Sequence, residues 1–200
     1  MIEASSYQLD YSKIFRSNIS AILNISHDHL ERHKTLKNYI IAKFKLIKNQ
    51  TKEDYAILNM NNIHIKKYTR TQNFLSKIIE INNKVDSSFL KKINNPYFIT
   101  EGNKENLSFI IEIVKILKIK KNFLIDVLNN FSGLKYRQQV IFRSKYLTII
   151  NDSKATSFSS SVSILKSMKN VSWIVGGLAK KKDKILLSKN NSKNFKAYIF

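Results

Sequence analysis

The chain has 200 residues, 35 Lys and Arg against 14 Asp and Glu, a formal charge of +21, no Cys, one Pro and four Gly. A content of 43% hydrophobic and 11% aromatic residues supports a real core and excludes wholesale disorder, and the lack of Cys excludes disulfides and thiolate metal sites. No apolar run reaches the ~20 residues of a membrane span, and the first residues, interrupted by Glu3 and Asp10, lack a signal peptide's apolar centre, so a soluble cytoplasmic protein is expected.

Ile2–Leu9 reads as the end of a strand followed by a turn, and Asn18–Asn24, with Ile19, Ala21, Ile22 and Leu23, as a short buried strand. His27–His33 is polar and reads as a loop. Leu36–Asn49 has helical periodicity, with Leu36, Ile40 and Ile47 on one stripe. Tyr55–Asn59 is a strand signal; Phe74–Ile81 and Tyr97–Thr100 are weaker ones. Asn106–Ile119 is a helix with polar positions at Glu112, Lys115 and Lys118, so most of its surface is expected to be buried. Asn122–Phe131 is a second helix, closed by Ser132-Gly133. Gln139–Phe142 and Tyr146–Asn151 read as a hairpin, Ser159–Met168 as a helix, and Ser172–Val175 as a strand ending at Gly176-Gly177. A last strand is expected at Ala197–Phe200. Strands alternating with helices predict an α/β class, with a domain boundary near Gly133–Tyr136. Both ends read as cut within larger units, so the chain is expected to be a piece of a longer protein.

Four segments carry candidate chemistry. Glu3-Ala4-Ser5-Ser6-Tyr7-Gln8-Leu9 places a carboxylate, two hydroxyls and an amide after a strand, which suits metal and sugar-phosphate binding, and equally a solvated turn. Asn24–His33 holds three of the four His residues within seven positions, a spacing open to a divalent metal but not that of a zinc protease or finger. Lys43 falls on the apolar stripe of its helix, seven residues after Leu36 and four before Ile47. Desolvation there favours the neutral amine, which can add CO₂ to become a carbamate; a snorkelling lysine fits the same pattern. Asn151-Asp152-Ser153-Lys154-Ala155-Thr156 follows a strand and precedes a helix, where N–H groups can face an anion and Asp152 can accept from ribose hydroxyls. No GxxxxGK[ST] motif occurs, so an ATP site made by this chain alone lacks its phosphate cradle.

The charge alone invites a nucleic-acid reading. Lys outnumbers Arg 30 to 5 and is spread along the chain, whereas nucleic-acid surfaces favour the planar fork of Arg. Compositional drift toward Ile, Asn and Lys is the favoured explanation.

In order, EASSYQL, NISHDHLERH…YIIAK, GLKYR, NDSKAT and GGLAKKKD resemble the Mur ligase family, and within it the D-glutamate-adding ligases. The resemblance runs from Glu3 to the last residue. It implies the later part of a P-loop-type central ATPase domain over residues 1–134 and the start of a Rossmann-like C-terminal domain over 135–200. It also implies ATP-dependent amide formation between UDP-N-acetylmuramoyl-L-alanine and D-glutamate through an acyl phosphate, in peptidoglycan precursor synthesis, with Mg²⁺ and ATP bound and the protein monomeric. By position, Glu3, His29 and Lys43 match the metal-associated residues, with Lys43 carbamylated; Lys43, His29 and Lys154 match catalytic ones. Asn103, Asn106, Arg137 and Asp152 match nucleotide contacts. Ser5, Gln8, Thr156 and Lys180 match substrate contacts. Gly102, Tyr136, Gln139, Ser157 and Leu178-Ala179 depart from the family pattern, mostly on the adenine side. The chain alone is expected to be inactive. A non-catalytic remnant and a basic nucleic-acid-binding protein are the alternative readings.

Overall fold

A computed structural model describes residues 1–26, 30–82, 85–178 and 187–200. By packing, the chain divides into two units, residues 1–84 with 108–119, and residues 85–107 with 120–200.

The first unit is built on a parallel sheet. Strands β1 (Ile19–Ile22), β2 (Tyr55–Asn59) and β3 (Lys77–Ile81) lie in the order β1-β2-β3. Parallel neighbours need crossovers. Helices α2 (Leu30–His33) and α3 (Leu36–Lys48) connect β1 to β2, and α4 (Ile63–Arg70) connects β2 to β3. The middle strand β2 is covered on both faces, which explains its nearly unbroken apolar run. Ala56 and Leu58 pack with Tyr39, Phe44 and Ile47 of α3 and Ile65 of α4. Ile57 points the other way and packs with Ile81, Phe109 and Ile113. The last two belong to α6 (Glu101–Ile116), whose residues from Ser108 onward fall in this unit.

The amino ends of β1 and β2 are tied by a charged cluster. Asp54, 1% exposed, accepts from Arg16 Nε at 2.8 Å and Nη2 at 3.1 Å, from the Thr51 N–H at 2.7 Å and from Asn18 Nδ2 at 3.3 Å. The carboxylate is thus a buried charge with nearly all of its lone pairs satisfied.

Three sequence expectations are corrected here. Ile2–Leu9 is not a strand end: residues Ser6–Tyr11 form helix α1, because Ser5 and Gln8 make a reciprocal capping box. Leu30–His33, within the stretch read as a loop, is one helical turn. Tyr97–Thr100 is not a strand: Pro96–Ile99 form a 3-10 turn capped by Asn95, with Pro96 supplying a turn-compatible φ. Helix α4 carried too few apolar residues to be read from the sequence; its Asn62 cap, accepting from the His64 and Ile65 N–H groups, starts it.

The second unit holds α5 (Ser87–Leu90), the start of α6, α7 (Lys121–Asn130), α8 (Phe158–Ser167), α9 (Lys189–Ser192), an antiparallel hairpin of β4 (Gln139–Arg143) and β5 (Thr148–Asn151), and a parallel pair of β6 (Val171–Val175) and β7 (Phe195–Ile199). The hairpin, α7, α8 and β6 lie within a residue or two of the predicted spans. Helix α6 starts five residues earlier than predicted and is only partly covered, with Asn103, Leu107, Ser108 and Phe109 buried. Rings of Tyr97, Phe98 and Phe131 meet at 5.1–6.3 Å. Gly133, at φ +77°, turns the chain beneath them; a Cβ there would stand 2.8 Å from Tyr97 Cδ2. Both the left-handed backbone and the close ring oppose any side chain. Gly133→Ala is therefore expected to cost about 1–3 kcal/mol, read as a lower urea midpoint at unchanged m-value.

Candidate functional site

At the carboxyl ends of the first unit's strands, asparagines hold the loop that leaves β1. Asn59, the last residue of β2, donates through Nδ2 to the Leu23 carbonyl at 2.9 Å, and Asn62 Nδ2 donates to the Ile25 carbonyl at 2.9 Å. The carboxyl end of a parallel sheet is where ligands of such folds bind. These two asparagines were not singled out in the sequence. The signal was available: an Asn closing an apolar strand, and a second one capping the next helix.

Helix α1 packs on α3. Lys45 of α3 donates to the Asp10 carbonyl at 2.6 Å and to its carboxylate at 2.9 Å. That lysine holds the Asp10 carboxyl below its ordinary range. Arg32 Nη2 donates to the Tyr11 hydroxyl at 2.6 Å, and its guanidinium lies over the Tyr11 ring. Asn49 Nδ2 donates to the Lys13 and Phe15 carbonyls, fixing the chain after α1. The segment preceding α1 contains Glu3, which is exposed. Ser5 and Gln8 are engaged with each other: the Ser5 N–H donates to Gln8 Oε1 at 2.8 Å and the Gln8 N–H to Ser5 Oγ at 3.3 Å. The capping box thus presents the Gln8 amide from a fixed helix start.

Lys43 is half-buried, and its Nζ lies 5.9 Å from the centre of the Tyr39 ring. It borders the buried stripe of α3, which is formed by Tyr39, Ala42, Phe44 and Ile47. His29 lies outside the described residues, so its place beside Glu3 and Lys43 in the metal-associated set that the resemblance implies has no geometry here. Among the described residues no three His, Asp or Glu side chains form a metal-sized cluster. His33, by contrast, is buried and shares a hydrogen bond between Nε2 and Ser6 Oγ at 3.0 Å.

The second unit brings several predicted residues together. Asp152 and Lys154 follow β5, and with Thr156 they occupy the loop before α8, as the strand–loop–helix pattern implied. Asp152 Oδ1 accepts the Gln138 N–H at 3.0 Å; its Oδ2 is buried with no hydrogen-bond partner. Burial pushes the Asp152 carboxyl up, opposed by that N–H and by the positive charge of Arg137. Arg137 and Asp152 both act on Tyr97, whose hydroxyl is pushed up mainly by burial. Asn103 is buried and donates through Nδ2 to the Tyr97 carbonyl at 2.6 Å. Thr100 Oγ1 accepts the Asn103 N–H at 3.3 Å and donates to Gln138 Oε1 at 2.7 Å. Asn103, Arg137 and Asp152 therefore share one neighbourhood. Asn106, Lys154 and Thr156 are exposed. Tyr136 and Gln138 adopt left-handed φ of 65° and 45°. The Tyr136 N–H donates to Gln139 Oε1, and its carbonyl accepts the Lys154 N–H. The NDSKAT loop is thereby attached to the turn that carries Arg137. Lys180 lies outside the described residues, as does Ala179.

Comparison with known proteins gives a consistent picture. A profile of the Mur ligase middle domain matches residues 1–122. A UDP-N-acetylmuramoylalanine--D-glutamate ligase of Rickettsia bellii is 30% identical over the whole chain and 49% of its own length. The ligase of the same description from Clostridioides difficile is 32% identical over 89% of this chain and 43% of its own. The chain thus spans about half the length of the curated relatives it matches. In fold, MurF ligase from Thermotoga maritima, solved in complex with ADP, superposes with a TM-score of 0.60 over 82% of this chain and 42% of its own, at 14% identity. MurF from Acinetobacter baumannii gives 0.59 over 80% and 40%, at 15% identity.

Proposed function

The chain belongs to the Mur ligase family, and from that premise we propose that it is the later middle-domain part, to about residue 134, and the early C-terminal part of a D-glutamate-adding ligase. That enzyme would use ATP to join D-glutamate to the carboxyl of UDP-N-acetylmuramoyl-L-alanine, within peptidoglycan precursor synthesis. The single observation that carries the reading is the Asp152 carboxylate in NDSKAT. It is fixed on one oxygen by the Gln138 N–H, lies within electrostatic reach of Arg137, and keeps its other oxygen buried without a partner.

A buried acceptor without a donor costs free energy until something supplies one. A ribose hydroxyl is a donor of the right kind, and the Arg137 cation suits the phosphates of a nucleotide. Asn103 supports the reading only indirectly, because its amide is used on the Tyr97 carbonyl and so shapes the wall. Asn106, Lys154 and Thr156 are open to ligand, and the NDSKAT loop would face phosphate and D-glutamate. A sequence with no GxxxxGK[ST] motif does not itself cradle the β- and γ-phosphates.

For Mg²⁺, the fit within the described residues rests on Glu3, an exposed carboxylate oxygen donor of the hard type that Mg²⁺ takes. His29 and a carbamylated Lys43 would complete the set. In the carbamylation, neutral Lys43 Nζ adds to the carbon of CO₂ and loses one proton to solvent. This replaces a cation by a carboxylate-like group. Bound Mg²⁺ would supply neutralisation of phosphoryl charge. The chain's own task is to hold Glu3, Ser5 and Gln8 beside the α3 face that carries Lys43.

Titration of a fluorescent ADP analogue tests the nucleotide part. Asp152→Ala is expected to weaken binding about tenfold, the size of one lost charge-assisted hydrogen bond. Arg137→Ala is expected to weaken it similarly, with less loss at high salt. Equal binding by both variants and the parent chain would remove the nucleotide site from this loop.

A further inference from the structure

His33 is a buried group that the reading above leaves without a role, and it is connected on several sides. It is buried, 5% exposed, in the helical turn that follows His29. Its Nε2 is 3.0 Å from Ser6 Oγ, which is itself 2% exposed. Its ring lies 5.7 Å from that of Tyr7 on α1 and 5.4 Å from that of Tyr39 on α3. Its carbonyl accepts from Asn38 Nδ2 at 3.1 Å and from the Thr35 N–H at 2.7 Å, so the turn cannot shift without breaking the start of α3. Tyr39 continues the connection, because the Lys43 amine lies 5.9 Å from its ring centre. Ser6, His33, Tyr39 and Lys43 thus form a continuous line of contacts. It runs from the segment bearing Glu3, Ser5 and Gln8 to the lysine on the neighbouring helix.

We infer that His33 is a positioning residue: through Ser6 and Tyr39 it fixes the Glu3–Gln8 segment relative to the Lys43 amine. The functional weight of this line rests on the ligase reading above, but its mechanical part does not. A buried imidazole hydrogen-bonded to a buried hydroxyl locks a register that apolar packing alone leaves free to slide, because an unmatched partner is costly on either side. The Asp10–Lys45 and Arg32–Tyr11 pairs lie at more exposed positions and bear less of this role.

The test uses the 200-residue chain and three variants, His33→Leu, His33→Gln and Ser6→Ala, with circular dichroism to establish folding. Gln can present an Nε2 donor near the position of the imidazole Nε2, whereas Leu cannot; Ser6→Ala removes the other partner with minimal change of volume. Amide hydrogen exchange is the first readout. The Leu9–Tyr11 amides are expected to exchange about tenfold faster in His33→Leu and Ser6→Ala, with Ile57 and Leu58 in β2 unchanged and His33→Gln within about threefold of the parent. The second readout is the carbamate carbon signal in ¹³C-bicarbonate, assigned by its loss in Lys43→Arg, expected to fall several-fold in His33→Leu. Unchanged α1 exchange in both disrupting variants, or a uniform rise that includes β2, would overturn the inference. If the parent chain shows no Lys43-dependent carbamate, the carbamate reading falls instead, and the exchange pattern alone decides the positioning role.

Discussion

Incubated with ATP, Mg²⁺, UDP-N-acetylmuramoyl-L-alanine and D-glutamate, the 200-residue chain on its own is expected to release no substrate-dependent phosphate above background. Phosphoryl transfer depends on holding the γ-phosphate and neutralising its charge. The backbone amides and lysine of a GxxxxGK[ST] loop normally do both, and the sequence contains no such loop. Arg137, Lys154 and Lys180 supply cations, but point charges on long side chains do not replace a preorganised ring of N–H donors. The expected loss exceeds a thousandfold relative to an intact ligase, since removing one oxyanion-type donor already costs about 10²–10³. Adding in trans a P-loop-bearing segment from a D-glutamate-adding ligase is expected to restore release. Robust release by the chain alone would show that the phosphate is held by groups other than a P-loop.

Asp54→Asn is expected to lower Tm by about 10 °C at pH 7, because the carboxylate is buried and gathers donors from Arg16, Thr51 and Asn18. The Arg16 guanidinium, followed by the Thr51 N–H, holds the Asp54 carboxyl well below the usual carboxylate range, against the opposing effect of burial. A folded-state pKa lying below the unfolded value, near 3.9, means that the folded protein binds the proton less readily than the unfolded chain. The stabilisation is therefore complete above about pH 4 and is lost as the pH falls toward the folded-state value. The parent chain should lose stability steeply below pH 4, and the gap to Asp54→Asn should close over the same interval. Melts followed by circular dichroism between pH 2.5 and 7 give both curves. A constant gap across that range would mean that the pair contributes no proton-linked stability.

Both expectations depend on features that the sequence shows unequally. The missing P-loop is a plain linear fact. The Arg16–Asp54 pair joins residues 38 apart, and nothing in the local pattern of either marks the other. The same distinction runs through the site. NDSKAT was legible as a strand–loop–helix transition because the largely apolar Tyr146–Ile150 runs into polar residues and Ser157 caps α8. That Asp152 keeps one oxygen buried and unpaired was not legible, because it depends on Gln138, held at a left-handed φ fourteen residues away.

The sequence by itself determined the α/β class, the strands β1 and β2, the helices α3, α7 and α8, the hairpin and the family resemblance. These rest on periodicity, turn residues and short motifs, which are properties of neighbours along the chain. Helix α1 shows where a local signal was present and misread: Ser5 and Gln8 stand three apart as a capping box, yet the apolar residues near them suggested a strand end. Only the tertiary structure decided that the middle strand β2 is covered on both faces and that His33 is buried rather than a solvated loop residue. It also decided that Lys43 sits beside Tyr39 at the border of the apolar stripe. Burial and hydrogen-bond partnership belong to pairs of residues brought together by packing; a hydrophobic period says which face turns inward, but not which polar group it meets there.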